Sequence, residues 1–159
     1  MSIGLSVTVG DFAAANALIA RFAELDEFAL LETIGTIGES QTRRRIEEEK
    51  TGPDGAAWPA NAEGTSILLR TGGHLRDSIA FEVGAGEVHW GSSWEYAHVH
   101  QEGAVITAKS ASALSFLVRG RRRSAKRVTI PARPFVGLSA ENGREIEQVT
   151  IEWLSGLTR

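Results

Sequence analysis

The chain has no cysteine among its 159 residues. A disulfide scaffold, a thiol nucleophile, a cysteine-based zinc site and cysteine-ligated iron–sulfur centres are therefore excluded. The absence fits either side of a membrane, so the redox compartment stays open. Long apolar runs are missing too: none approaches the ~20 residues that span a bilayer. The N-terminal stretch MSIGLSVTVGDF carries no basic region ahead of its apolar residues, so no signal peptide is expected. Phosphate-cradling and catalytic signatures are absent as well: there is no Walker A loop, GxGxxG, HExxH, calcium loop or GxSxG. Acidic residues are absent from 103–140, which nevertheless hold 8 basic ones.

That last gap exposes an uneven charge distribution beneath a formal net charge of -3. Residues 1–102 hold 7 basic and 16 acidic residues, residues 141–159 hold 2 and 4, and the basic block lies between them. Unlike charge on two parts of one small protein creates a signed surface, which suits a charged partner or head-to-tail self-association. A solvated basic loop with no partner is the plainer reading. At 17.1 kDa the chain is read as one domain, 1–159. A fold of this size buries roughly 68–70% of its unfolded surface and needs no metal to hold together.

Ile3, Leu5, Val7 and Val9 alternate with small polar residues and read as a first strand, and Asp11 can cap the helix after it. That helix is expected over 12–31, with Ala15, Leu18, Ile19, Phe22, Leu25 and Ala29 on its apolar face. A second helix is expected over about 32–50. Gly35 and Gly38 weaken its first half and offer a place to break. Its latter half sets Glu39, Arg43, Arg44 and Arg45 each four residues before an opposite charge, the pattern of a solvated helix. Gly52 can close that helix, Pro53-Asp54-Gly55 suits a type I turn, and Trp58 has the apolar area to fold the loop inward.

Residues 67–77 read as a short helix broken by Thr71-Gly72-Gly73, and 79–83 with 88–90 as a hairpin. Residues 94–102 form a short helical or turn segment. Ala104 to Lys109 and Leu114 to Val118 are expected to pair, with RGRRRSAKR (119–127) as their exposed connection or the tip of a long hairpin. Val128 to Ile130 give a last strand that Pro131 confines to an edge or end. A helix over 139–155 starts at Ser139 and buries Leu138, Ile146, Val149 and Trp153. The fold class is α+β: an antiparallel or mixed sheet with two N-terminal helices and one C-terminal helix packed on it.

Candidate chemistry is thin. His98 and His100, near Glu95 and Glu102, face the same side only on an extended segment; on a helix they diverge, and no third ligand has metal spacing. Asp77 with Glu82, or Glu95 with Glu102, could form a carboxylate pair, but nothing sets their separation. Ser92 and Ser93 lie near His98 no more closely than chance allows. No enzyme, cofactor or metal is expected. Arg121, Arg122, Arg123 and their basic neighbours can track phosphates, and a weak, salt-sensitive contact with DNA is the rival reading. Phe116 is the only ring nearby for stacking.

Four segments, TGPDGAAWP (51–59), LLRTGGHLRDSI (68–79), YAHVHQEG (96–103) and IPARPFVGLS (130–139), resemble in order and spacing the virion morphogenesis and tail-completion family of Mu-like phages and prophages. The resemblance runs from about Val7 to Leu154. It implies a non-enzymatic protein of the phage particle, acting at tail completion or the head–tail junction. A component there must match the rotational symmetry of the tube, and the opposed charge blocks supply two unlike faces, so self-association into an oligomeric ring is expected. Its partners would be other tail or neck proteins and its own copies. Its place would be the bacterial host cytoplasm during assembly and then the virion, with no membrane contact. Motif positions carried over include Trp58, Tyr96, His100, Gln101, Arg133 and Phe135; the Arg-rich stretch varies within the family and inherits no role. Pro131 and Pro134 fix the backbone around Arg133, whose rigid fork suits a carboxylate in this subunit or the next, and Phe135 can anchor in the core.

Overall fold

The computed structural model describes residues 13–23, 26–69, 73–109 and 111–156. The expected first strand and the Asp11 cap lie outside them. Helix α1 spans Ala13–Ala23 and α2 spans Glu27–Arg44. The single helix expected over 12–31 is thus two. Asp26 supplies the new start, its side chain accepting from the Ala29 amide at 3.1 Å. On the expected apolar face Ile19 is 65% exposed and Ala29 belongs to α2; the side chains of Ala15, Leu18, Phe22 and Leu25 lie outside the description.

Helix α2 does not break at its glycines. Gly35 and Gly38 are buried because aromatic rings lie on them. A Cβ on Gly38 would sit 2.6 Å from Trp90 Cδ2, and one on Gly35 would run into the Phe81 ring. These rings belong to the hairpin of β1 (Ile79–Val83) and β2 (Val88–Ser92), where Phe81 stands directly opposite Trp90. Missing side chains on the helix create the groove that the strand pair fills.

A π-helical turn, Arg45–Glu49, continues α2, and Lys50 closes it in the left-handed conformation at φ 55°. The cap expected at Gly52 falls two residues earlier. The wider turn also shifts the ion pairs. Glu39 meets Arg43 at 2.9 Å as the spacing suggests, but Arg44 reaches Glu49 at 2.7 Å, five residues on. Glu47 pairs with Arg76 instead of Arg43, at 3.0 Å. Arg45 is not solvated at all: it is 2% exposed.

Helix α3 is a single turn, His74–Asp77, and α4 spans Ala97–Glu102. Beyond them the pairing differs from expectation. Strand β3 (Ala104–Thr107) pairs with β6 (Arg127–Ile130), and β4 (Leu114–Val118) with β5 (Arg121–Ala125). The two ladders lie in series along one long hairpin, linked by the Ala108 amide donating to the Lys126 carbonyl at 3.1 Å. Two apolar stretches of similar length alternate equally well in either pairing, whereas only the nested one lets Arg119-Gly120 make a tight turn at the tip. Among the described residues there are three two-stranded antiparallel sheets, not one sheet carrying the helices.

Helix α5, Ala140–Ser155, starts in a capping box in which Ser139 and Asn142 bond each other's backbone amides. It packs on α2, with Gln41 bonding Glu145, and its less exposed stripe is Asn142, Ile146, Val149 and Trp153. Leu138, expected in that stripe, is 54% exposed because it precedes the cap. The core gathers one or two side chains from each separate stretch of chain: Ile46, Trp58, Leu75, Ile79, Ala97 and Phe135.

Candidate functional site

Two features stand out: a clamp where the long hairpin leaves the body, and the hairpin itself. The clamp joins the loop after Trp58, helix α4 and residues 131–137. Trp58 is buried, and its indole Nε1 donates to the Pro134 carbonyl at 3.0 Å. Gln101 acts as a short strand made of side chain. Its Oε1 accepts from the Phe135 and Val136 amides at 2.9 and 3.1 Å, while its Nε2 donates to the Val136 carbonyl at 3.0 Å. Phe135, 1% exposed, is thereby held in the core.

Arg133 is buried, and burial pushes its pKa below the ordinary value. Nε donates to the Pro59 carbonyl at 2.9 Å and Nη2 to the Ala60 carbonyl at 3.2 Å. These are backbone partners, not the carboxylate expected of its fork; two successive carbonyls match a guanidinium as a carboxylate does. The Arg133 amide donates to the His100 carbonyl at 2.7 Å, tying the start of the hairpin to its end. Gly103 makes that closure possible. It sits at φ +77°, and a Cβ there would lie 2.8 Å from the Ala132 nitrogen.

His100 stacks on Trp94 with ring centroids 5.7 Å apart, and His74 stacks on the same indole at 6.4 Å. Tyr96, half exposed, meets Trp94 edge-on at 5.5 Å. Burial first, and then the Arg133 charge, hold the His100 pKa below its usual value. His74, Trp94 and His100 line a cavity of roughly 300 Å³ with Asn61, Leu68, Leu75 and Arg133. Nothing in it resembles a nucleophile with its base. The Ser92 hydroxyl bonds Ser78 at 2.6 Å and accepts from the Trp94 amide at 3.2 Å, and His98 is exposed on α4. Asp77 is engaged by Arg76 at 2.6 Å, apart from Glu82 on β1. No group of three or more histidine, aspartate and glutamate side chains that could hold a metal occurs among the described residues.

The hairpin has the opposite character. Arg121, Arg122 and Arg123 are all exposed along β5, and their side chains bond no partner among the described residues. Cross-strand register places Arg121 and Arg123 opposite Val118 and Phe116 on one face, and Arg122 opposite Leu117 on the other. Leu117 is 54% exposed, and Val105 and Ile106 near the root are also exposed. The basic stretch is thus the distal strand and tip of a long hairpin.

Residues 13–155 match the phage virion morphogenesis family. The chain belongs to that family. Membership carries a general role in building the phage particle. Searches of the curated proteins and of the solved structures found no match. Among the described residues no helix of this virion morphogenesis protein is long and apolar enough to cross a membrane.

Several contributors to the clamp escape a sequence reading. Arg45, which donates to the Phe135 carbonyl at 2.7 Å and to Asn142 Oδ1 at 2.9 Å, looks identical to its two arginine neighbours. Trp94 lies in a segment whose aromatic and histidine content is visible, but its central stacking position is not. Pro59 and Ala60 act through carbonyls, which leave no trace in side-chain chemistry.

Proposed function

We propose that this protein is a structural, non-enzymatic component that acts at tail completion or the head–tail junction. It works as a closed homo-oligomeric ring in contact with other tail or neck proteins. One observation carries the reading. The hairpin over 104–130 leaves a buried clamp and projects arginines and large aliphatic side chains that nothing in the described residues covers. Exposed aliphatics beside unpaired charges are costly on an isolated protein and natural at an interface. A tail-junction component must match the rotational symmetry of the tube, and a head-to-tail contact that closes gives a ring. In this reading Arg121, Arg122 and Arg123 are interface residues, whereas Trp58, Gln101, Arg133 and Phe135 hold the arm's root in place.

The test is complementation of a phage or prophage lacking the gene, followed by electron microscopy. The triple reversal of Arg121, Arg122 and Arg123 to Glu is expected to impair assembly. Normal infectious virions from that variant would reject the electrostatic interface. Normal virions containing no copy of the protein would reject the assembly role altogether.

A second reading, a DNA-associated protein, is favoured by the shape of the basic segment. A two-stranded ribbon with arginines on both faces has the width that the major groove admits. Micromolar binding to non-specific duplex that weakens steeply between about 50 and 200 mM salt would favour it.

A further inference from the structure

The outer face of α5 carries the same kind of surface as the hairpin, with the charge reversed. Glu147, Ile151 and Leu154 succeed one another at four- and three-residue steps and so share a stripe on the helix. All three are exposed, Ile151 at 54% and Leu154 at 40%. This stripe lies away from the less exposed one. Glu147 bonds no partner among the described residues. Some carboxylates elsewhere are engaged (Glu39 by Arg43, Glu47 by Arg76 and Glu49 by Arg44 at 2.7–3.0 Å), and so are Glu145 by Gln41 and Glu152 by Gln148 on α5 itself; Glu147 is distinguished by the exposed aliphatic side chains that follow it on its stripe.

On the hairpin, one face of the distal ribbon pairs Leu117 directly with Arg122. An aliphatic side chain beside a cation therefore faces outward on one element, and aliphatic side chains beside an anion face outward on another. Nothing among the described residues covers either, and they are opposite in charge and alike in apolar character. We propose that the Glu147–Ile151–Leu154 stripe of one copy is the seat for the hairpin of the next copy. Leu117 lies on Ile151 and Leu154, and Arg122 faces Glu147. The proposal rests on the ring reading above and names its two unlike surfaces. Contact between different patches on identical subunits is heterologous, so each copy gives its hairpin to one neighbour and its helix to the other. Leu117 and Ile151 supply water exclusion around the ion pair, which strengthens it relative to an exposed one.

Absence of native cysteine makes the test clean. Particles are assembled in a host supplying L117C/I151C in place of the wild-type chain, oxidised, and run on a non-reducing gel. The expected result is a ladder of dimer, trimer and larger species, while L117C and I151C alone stay monomeric, because neither places a second thiol at the contact. L117C/I151C protein that is present in infectious particles but stays monomeric on oxidation would overturn the seat while leaving the ring reading standing. Infectious particles without the protein would overturn the ring reading and this inference with it. Charge exchange provides the second arm and needs no cysteine. R122E and E147R are each expected to lower the titre about tenfold or more, and R122E/E147R to restore most of it. A double variant no better than the worse single, with unchanged melting midpoints for all three, would likewise overturn the seat.

Discussion

Arg45 in the π-helical turn holds the backbone of Phe135, ninety residues away in the chain: its Nη1 donates to that carbonyl at 2.7 Å. The same guanidinium reaches the Gly137 carbonyl at 3.3 Å and Asn142 Oδ1 at 2.9 Å. One buried cation thus joins the end of α2 to the clamp and to the N-terminus of α5. Its pKa is pushed below the ordinary value by burial, yet an arginine stays charged at any pH a protein meets. Its charge is spread over carbonyl dipoles instead of a carboxylate.

Arg45→Ala leaves these acceptors without a donor. The expected cost is about 3 kcal/mol or more, since bonds to charged groups contribute roughly 1.5–3 kcal/mol each and the losses overlap. Urea denaturation checks it through a lowered midpoint with an unchanged slope. Arg45→Lys recovers only part, because a point-like ammonium cannot span three acceptors.

Trp58→Ala is expected to cost about 3–5 kcal/mol, the range for deleting a buried aromatic side chain. Trp58→Phe keeps most of the apolar contact and loses the bond to Pro134, so it should cost about 1 kcal/mol for that bond. A Trp58→Ala variant with the wild-type urea midpoint would show that the loop is not pinned.

The α2 glycines give a prediction whose sign is informative. Helix propensity alone says that Gly→Ala stabilises by about 0.8–1 kcal/mol. Packing says the reverse, because the Phe81 and Trp90 rings occupy the space of the new methyl groups. Overpacking costs typically about 1–3 kcal/mol, so Gly35→Ala and Gly38→Ala should both lower the melting midpoint.

Acid should weaken the fold through His100. Its folded pKa lies below the ordinary value, so between the unfolded and folded values the unfolded chain binds more protons. The contribution of the neutral ring is therefore complete above about pH 6.5 and is lost as pH falls through the folded value. His100→Phe, which keeps an aromatic ring against Trp94, should flatten this part of the stability–pH curve. An unchanged slope in that variant would assign the acid sensitivity elsewhere.

What could be read from the sequence depended on range. The β1–β2 hairpin, the Ser139 cap and the exposure of Arg121 to Arg123 arise from signals within a few residues, and the structure has all three. Buried Trp58 and Phe135 are large apolar side chains beside turn-forming residues, and they lie in the core. The partners of β3 and β4 were not legible, since their alternation fits each other as well as it fits β6 and β5. Nor were Gly35 and Gly38, because an empty position records nothing of the ring that fills it. Arg45 was hidden by its neighbours. A π-helical turn redirects side chains by one position, and the four-residue charge spacing carries no sign of it.

The closure at Gly103 and Arg133 separates two kinds of evolutionary freedom. Everything between those residues is a single excursion that begins and ends at the same spot, so the body senses only that its two ends meet. Lengthening such an excursion is inexpensive, about 0.6 kcal/mol for each doubling of a flexible loop. Reach, charge and shape in this stretch can therefore change without disturbing the body. The residues at the closure have no such latitude, because shifting one of them would misdirect whatever the excursion carries. The architecture resembles a socket with an interchangeable tool, in which the far end is free to change and the fitting is not.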